Sequence, residues 1–198
     1  MQQEMQIDAA HDLCHVKRVA KTAKKLAEQD GAQLEVVLPA AYLHDCFTYP
    51  KDHPNRKQSS AIAAKKAIAF LESIDYPRHF HDDIAHAIEA HSFSANIRPN
   101  TLEAKIVQDA DRLDALGAIG VTRCIQVSTQ FEAKLYDHQD MFAEERELDD
   151  QQFTLDHFQT KLFRIVDTMN TNSAKEEAQR RKAFMQSYLG QLREEVAE

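Results

Sequence analysis

A histidine and an aspartate stand side by side at His44-Asp45, with two histidines upstream at His11 and His15 and two aspartates downstream at Asp109 and Asp111. Imidazole and carboxylate groups drawn from separate segments can close around one divalent cation. A mixed nitrogen and oxygen set of two imidazoles and two carboxylates suits manganese, iron, cobalt, nickel or zinc better than calcium, with magnesium a harder alternative. Metal-assisted hydrolysis is the chemistry such a centre would support. Spacing alone leaves choices open. His11 and His15 are four apart and share a helix face. Asp109 and Asp111 are two apart on a helix and point to nearly opposite sides, so one of them is expected to be a ligand. Asp114 lies on the Asp111 side, where it could act behind the ligands.

The segments that must position these groups read as helices. From Ala9 to Gln29 the residues Leu13, Val16, Ala20, Ala23 and Ala27 recur at three and four spacing, with Asp8 as N-cap and Gly31 as stop. A second helix is expected to start at Pro39, suited to a first turn, and to run through Leu43 to the His44-Asp45 pair. Thr48 to Lys57 is a polar loop hanging off those residues. Ser59 to Ser73 and His79 to His91 follow as helices separated by Asp75-Tyr76-Pro77. Leu102 to Phe131 carries Ile106, Ala110 and Leu113 on one stripe, with Gly117 and Gly120 marking a bend or a close helix contact. Tyr136 to Asp150 is acid-rich and reads as a solvated connector, with a mobile lid as the alternative. Phe153 to Thr168 and Ser173 to Val196 predict a helical hairpin, with Phe158, Leu162, Ile165 and Val166 facing Ala183, Phe184, Tyr188 and Leu192. The hairpin either completes the core or pairs two copies as a homodimer.

The chain is therefore expected to be all-α and to form one domain over residues 1–198, a metal-binding core over 1–131 and the connector and hairpin over 132–198. Its hydrophobic fraction of 43% and charged fraction of 28% are those of an ordinary globular protein. A net charge of −8 sets the surface against a nucleic acid polymer as main partner. The first ten residues lack a basic stretch followed by an apolar core, and no window approaches the ~18 apolar residues of a membrane span. A cytoplasmic protein without a membrane partner is expected. Three cysteines, Cys14, Cys46 and Cys124, with no CxxC pair, fit reduced thiols. Cys14 and Cys46 read as small core residues. Of the other histidines, His53, His79, His81, His138 and His157 read as surface residues.

His15-Val16-Lys17-Arg18-Val19, Leu43-His44-Asp45 and Asp109-Ala110-Asp111-Arg112-Leu113-Asp114-Ala115-Leu116-Gly117 together resemble the HD-domain superfamily of metal-dependent phosphohydrolases. The signature of that family is a histidine, a His-Asp pair and a distant aspartate. The helical order and the C-terminal segment with Phe184-Met185 also look like a small bacterial subgroup of predicted HD hydrolases, so the likeness covers essentially the whole chain. The resemblance implies an HD-type helical bundle, selects His15, His44, Asp45 and Asp111 as ligands of one metal, and places His91 beside them. It implies hydrolysis of a phosphate ester or anhydride in a small phosphorylated substrate, such as a nucleotide. Several family nucleotidases and alarmone hydrolases carry a glutamate soon after the His-Asp pair; Cys46-Phe47-Thr48-Tyr49 stands here instead. The Gly-Tyr-Pro element of cyclic dinucleotide phosphodiesterases is absent too.

A divalent ion with two carboxylates is formally neutral, so it lowers the pKa of bound water from ~15.7 less than a three-histidine zinc site, which reaches about 7. The protein must supply the rest. Asp45 or Asp114 is expected to accept the proton of the attacking water. Lys51 and Arg56 in the adjoining loop are the nearest cations for a phosphate, followed by Arg112 and His91. Arg18 reads as structural and Glu89 as a solvated helix residue. The missing glutamate keeps a binding module without turnover as the alternative, and a di-iron oxygenase stands behind it.

Overall fold

The computed structural model describes residues 12–50 and 53–196. Asp8, His11 and Lys51 fall outside the described residues. The helices are α1 (Leu13–Asp30), α2 (Leu34–Leu43), α3 (Ser59–Ser73), α4 (His81–His91), α5 (Leu102–Leu113), α6 (Gly117–Ser128), a one-turn α7 (Phe163–Ile165) and α8 (Asn172–Val196). No strand occurs among the described residues; a single parallel bridge joins Lys134 and Phe153. None of their helices is long and apolar enough to cross a membrane. The backbone divides into two compact units, Met1–Asp111 and Arg112–Glu198.

In the first unit, α1 is capped by the Asp12 carboxylate, which accepts the His15 backbone N–H at 2.8 Å. This fixes the start of the helix two residues before a candidate ligand. The stripe Val16, Val19, Ala20, Ala23, Leu26 and Ala27 is buried, and its alanines let α2 approach closely. Apolar almost throughout, α2 packs against α1 on one side and α4 on another, which is why it shows little amphipathic character.

The expected start of α2 at Pro39 is corrected: the helix begins at Leu34 and takes Pro39 into its interior. Proline removes the N–H that would bond the carbonyl four residues back. That carbonyl, Glu35, instead accepts the Tyr76 hydroxyl at 2.7 Å. The substitute donor comes from the turn between α3 and α4, so the kink-prone residue becomes a point of tertiary attachment.

The α4 helix follows a 3₁₀ turn at Arg78–Phe80 and carries Asp82 and Asp83 in its first turn, where the helix dipole favours negative charge. His81 is buried rather than on the surface, its Nε2 3.1 Å from the Tyr76 carbonyl. Residues Ala104, Ile106, Val107 and Ala110 form the buried side of α5. Gln108 donates to the Ala90 carbonyl at 2.6 Å and so ties α5 to the last turn of α4.

In the second unit the expected helix from Leu102 to Phe131 is interrupted. After α5 ends, Leu116 N–H returns to the Leu113 carbonyl and Gly117 restarts the chain with φ +74°, a conformation that disfavours a side chain. Gly120 lies where a Cβ would enter the Ala115 carbonyl. Both glycines thus serve close contact, as their positions suggested, with a full break in place of a bend.

The acid-rich segment is neither a bare connector nor an open lid. Asp140 accepts three backbone N–H groups, from Glu144, Glu145 and Arg146. Arg146 in turn makes a bidentate pair with buried Asp156 at 2.6 and 2.9 Å and lies over the Phe153 ring.

Helical backbone resumes at Asp156, later than expected, and continues as a π-helical turn over Phe158–Leu162, then α7, then a 3₁₀ turn to Thr168. The second arm, α8, buries Ala174, Ala178, Met185 and Leu189 and packs mainly against α6. The expected stripe through Ala183 and Phe184 is corrected, since both are exposed.

Candidate metal centre

Three helix C-termini of the first unit deliver the candidate ligands. His44 caps α2, His91 is the last residue of α4, and Asp111 lies in the last turn of α5. The final carbonyls of a helix lack intrahelical donors, and the helix end carries partial negative charge. The first property explains how the rings are held: His44 Nδ1 lies 2.8 Å from the Ala41 carbonyl, and His91 Nδ1 lies 2.5 Å from the Ile88 carbonyl. A carbonyl only accepts, so Nδ1 carries the proton in each ring and Nε2 is the nitrogen turned to the cluster.

The Nε2 atoms meet the carboxylates. His15 Nε2 stands 3.4 Å from Asp111 Oδ1 and 3.8 Å from Asp45 Oδ2. His44 Nε2 stands 3.5 Å from Asp45 Oδ2 and 3.9 Å from Asp111 Oδ1. His91 Nε2 is 3.5 Å from Asp45 Oδ1, and its ring is edge-on to that of His44. With metal–ligand bonds of about 2.0–2.2 Å, neighbouring donors around one ion lie about 3–3.5 Å apart, close to this spacing. Two overlapping groups could hold an ion: His15, His44 and Asp111; and His44, Asp45 and His91. The fit of a cation rests further on His44, which is completely buried and whose Nε2 makes no hydrogen bond. An imidazole nitrogen in that position is costly unless something outside the polypeptide engages it.

The charge states of His44 and Asp111 suit ligation, and that of His91 suits proton donation. Burial lowers the His44 pKa, against the opposing pull of Asp45, so its ring is neutral near pH 7. Burial would raise the Asp111 pKa, but the hydrogen bond from His15 and the neighbouring histidines hold it far below the usual carboxylate range. For His91, burial lowers the pKa, yet the bond to Asp45 outweighs it and raises the net value.

Asp109 is fully buried on α5, while Asp111 faces the histidines. Asp114 is ion-paired to Arg123 at 2.5 Å, with both side chains largely buried. Arg112 donates to the Thr168 carbonyl at 2.6 Å. Arg56 donates to the Tyr49 carbonyl and closes the loop after the His-Asp pair. Cys14 is exposed, correcting its expected place in the core, and Cys46 is half-buried with its thiol 3.3 Å from the Ala63 carbonyl of α3. Sequence reasoning missed the carbonyl anchors Ala41 and Ile88. Their signal is a histidine at a helix end, three residues after a carbonyl with no helical donor.

A family model for the HD domain matches residues 12–116, which include every one of these donors. The chain belongs to the HD-domain family. It is 32% identical over 193 residues to the uncharacterized protein YpgQ of Bacillus subtilis (strain 168), covering 95% of this chain and 85% of that one. The crystal structure of Bacillus subtilis YpgQ in complex with ADP superposes with a TM-score of 0.74 at 33% identity, over 95% of this chain and 91% of the other. An HD-superfamily hydrolase from Bacillus thuringiensis superposes with a TM-score of 0.75 at 32% identity, over 100% and 93%. The all-helical architecture expected from the residue pattern is therefore that of HD proteins.

Proposed function

We propose that this protein is a divalent-metal-dependent phosphohydrolase that cleaves a phosphate ester or anhydride of a small nucleotide. The observation that carries the reading is the convergence of His15, His44, Asp45 and Asp111 around the buried, unbonded Nε2 of His44. The ADP complex of YpgQ supports a nucleotide as the class of substrate.

His15, His44, Asp45 and Asp111 would hold the ion. A bound divalent cation supplies Lewis acidity, polarising a phosphoryl oxygen and making a coordinated water more acidic. Asp45 presents two differently placed oxygens: Oδ2 faces His15 and His44, whereas Oδ1 faces His91. Asp45 Oδ1 accepts the proton of the attacking water as its oxygen bonds to phosphorus and the bond to the leaving oxygen breaks. Asp114, the other acceptor considered, is already engaged by Arg123. His91, anchored through Nδ1 on Ile88 and with a raised pKa that favours a second proton on Nε2, donates that proton toward a phosphoryl oxygen or the leaving group. Lys51 and Arg56 are the cations nearest in sequence for the remaining phosphate charge.

The test is to purify the chain without a metal-chelating tag, load it with each candidate ion, and measure phosphate release from nucleoside mono-, di- and triphosphates. Release that stops on chelation and returns with manganese, cobalt, nickel, iron or zinc is expected. Absence of turnover across the panel by metal-loaded protein would refute the enzymatic reading.

A further inference from the structure

The loop that leaves Asp45 carries an aromatic pair that metal chemistry does not require. Tyr49 and His53 stack with ring centroids 4.1 Å apart and planes 3° from parallel, and Phe47 meets Tyr49 edge-on at 4.9 Å. All three rings are half-buried, leaving part of their surface accessible. The flanking backbone is fixed: Tyr49 N–H donates to the Ser59 hydroxyl at 3.0 Å, and its carbonyl accepts from Arg56. Asn55 N–H donates to His53 Nδ1 at 3.1 Å, so the neutral ring carries its proton on Nε2 and offers a donor at its outer edge.

Resting on the nucleotide reading above, we infer that the Tyr49–His53 stack is a nucleobase platform, with a base lying against the accessible part of the pair while the phosphates reach the metal centre. Tyr49 lies four positions after Asp45, which limits their separation to the span of a short extended segment, about 14 Å at most. Every base has a π-face, so such a platform selects nucleotides over base-free phosphates without choosing strongly among bases. Stacking also costs the protein little ordering here, because the two rings are already stacked on each other.

The experiment compares binding of α,β-methylene-ADP with binding of methylenediphosphonate, its base-free counterpart, to the metal-loaded full chain by calorimetry. The wild type should bind the nucleotide at least about tenfold more tightly. Tyr49→Ala and His53→Ala should each remove most of that advantage, leave methylenediphosphonate affinity and metal content unchanged, and Tyr49→Phe should retain it. Equal affinity of the wild type for the two ligands, or full nucleotide affinity in His53→Ala, overturns the platform. If Tyr49→Ala fails to fold, His53→Ala decides. Catalysis is read separately, in the phosphate-release assay above: base-dependent binding without turnover there would refute the phosphohydrolase and keep the platform, and turnover with no base-dependent binding would do the reverse.

Discussion

His15 Nε2 of α1 stands 3.4 Å from Asp111 Oδ1 of α5, although nearly a hundred residues of chain lie between them. The contact brings the first and last helices of the HD match together and, with His44 and Asp45, gathers donors that could hold a cation. Burying two imidazoles against two carboxylates is costly unless their charges and lone pairs are engaged. On the proposed reading a divalent ion would engage them all.

Changing His91 to alanine separates proton transfer from metal binding. On the proposed mechanism His91→Ala keeps one equivalent of metal and loses about 100-fold in kcat, within the range for a positioned acid or base. Elemental analysis and steady-state kinetics on the same preparation check both halves. Loss of the metal together with activity would make His91 a ligand.

Gly117 should not tolerate a side chain. Its φ of +74° disfavours an L residue, and an added Cβ would sit 3.1 Å from Arg181 Cγ. Gly117→Ala is expected to destabilise the fold by about 1–2 kcal/mol, visible as a lower denaturation midpoint at unchanged m-value. No change would mean that this turn adjusts freely.

The acid limb of stability should depend on Glu177. Hydrogen bonds from Arg180 and Arg181 outweigh burial and lower its pKa from 4.5 to about 2. A depressed carboxylate stabilises the fold above its unfolded pKa, and this contribution fades as pH falls through the folded value. The wild type should therefore melt above Glu177→Gln at pH 6, with the gap closing between about pH 4.5 and pH 2. A gap that is constant with pH would contradict the pairing.

Much of this molecule is readable from the residues, and the exceptions have physical causes. Ser59 and Ser73 bound α3 as expected because turn chemistry flanks an alanine-rich stripe. The start of α2 could not be placed, because the donor that rescues the proline-deprived Glu35 carbonyl is Tyr76, far along the chain. The buried stripe of α8 was misplaced for a different reason: the helix is only weakly amphipathic, so Met185 and Phe184 compete as anchors until α6 decides between them. Asp111 and His91 were accessible through motif and resemblance. The tautomers of His44 and His91 were not, since they depend on where each helix ends.

Metal content measured on wild-type and His44→Ala protein, both purified without a chelating tag and dialysed against metal-free buffer, tests the centre most directly. About one equivalent of a divalent transition metal is expected in the wild type and less than about a tenth of that in a folded variant. A wild type that takes up no divalent metal on titration, or a His44→Ala protein that keeps its full equivalent, would contradict it.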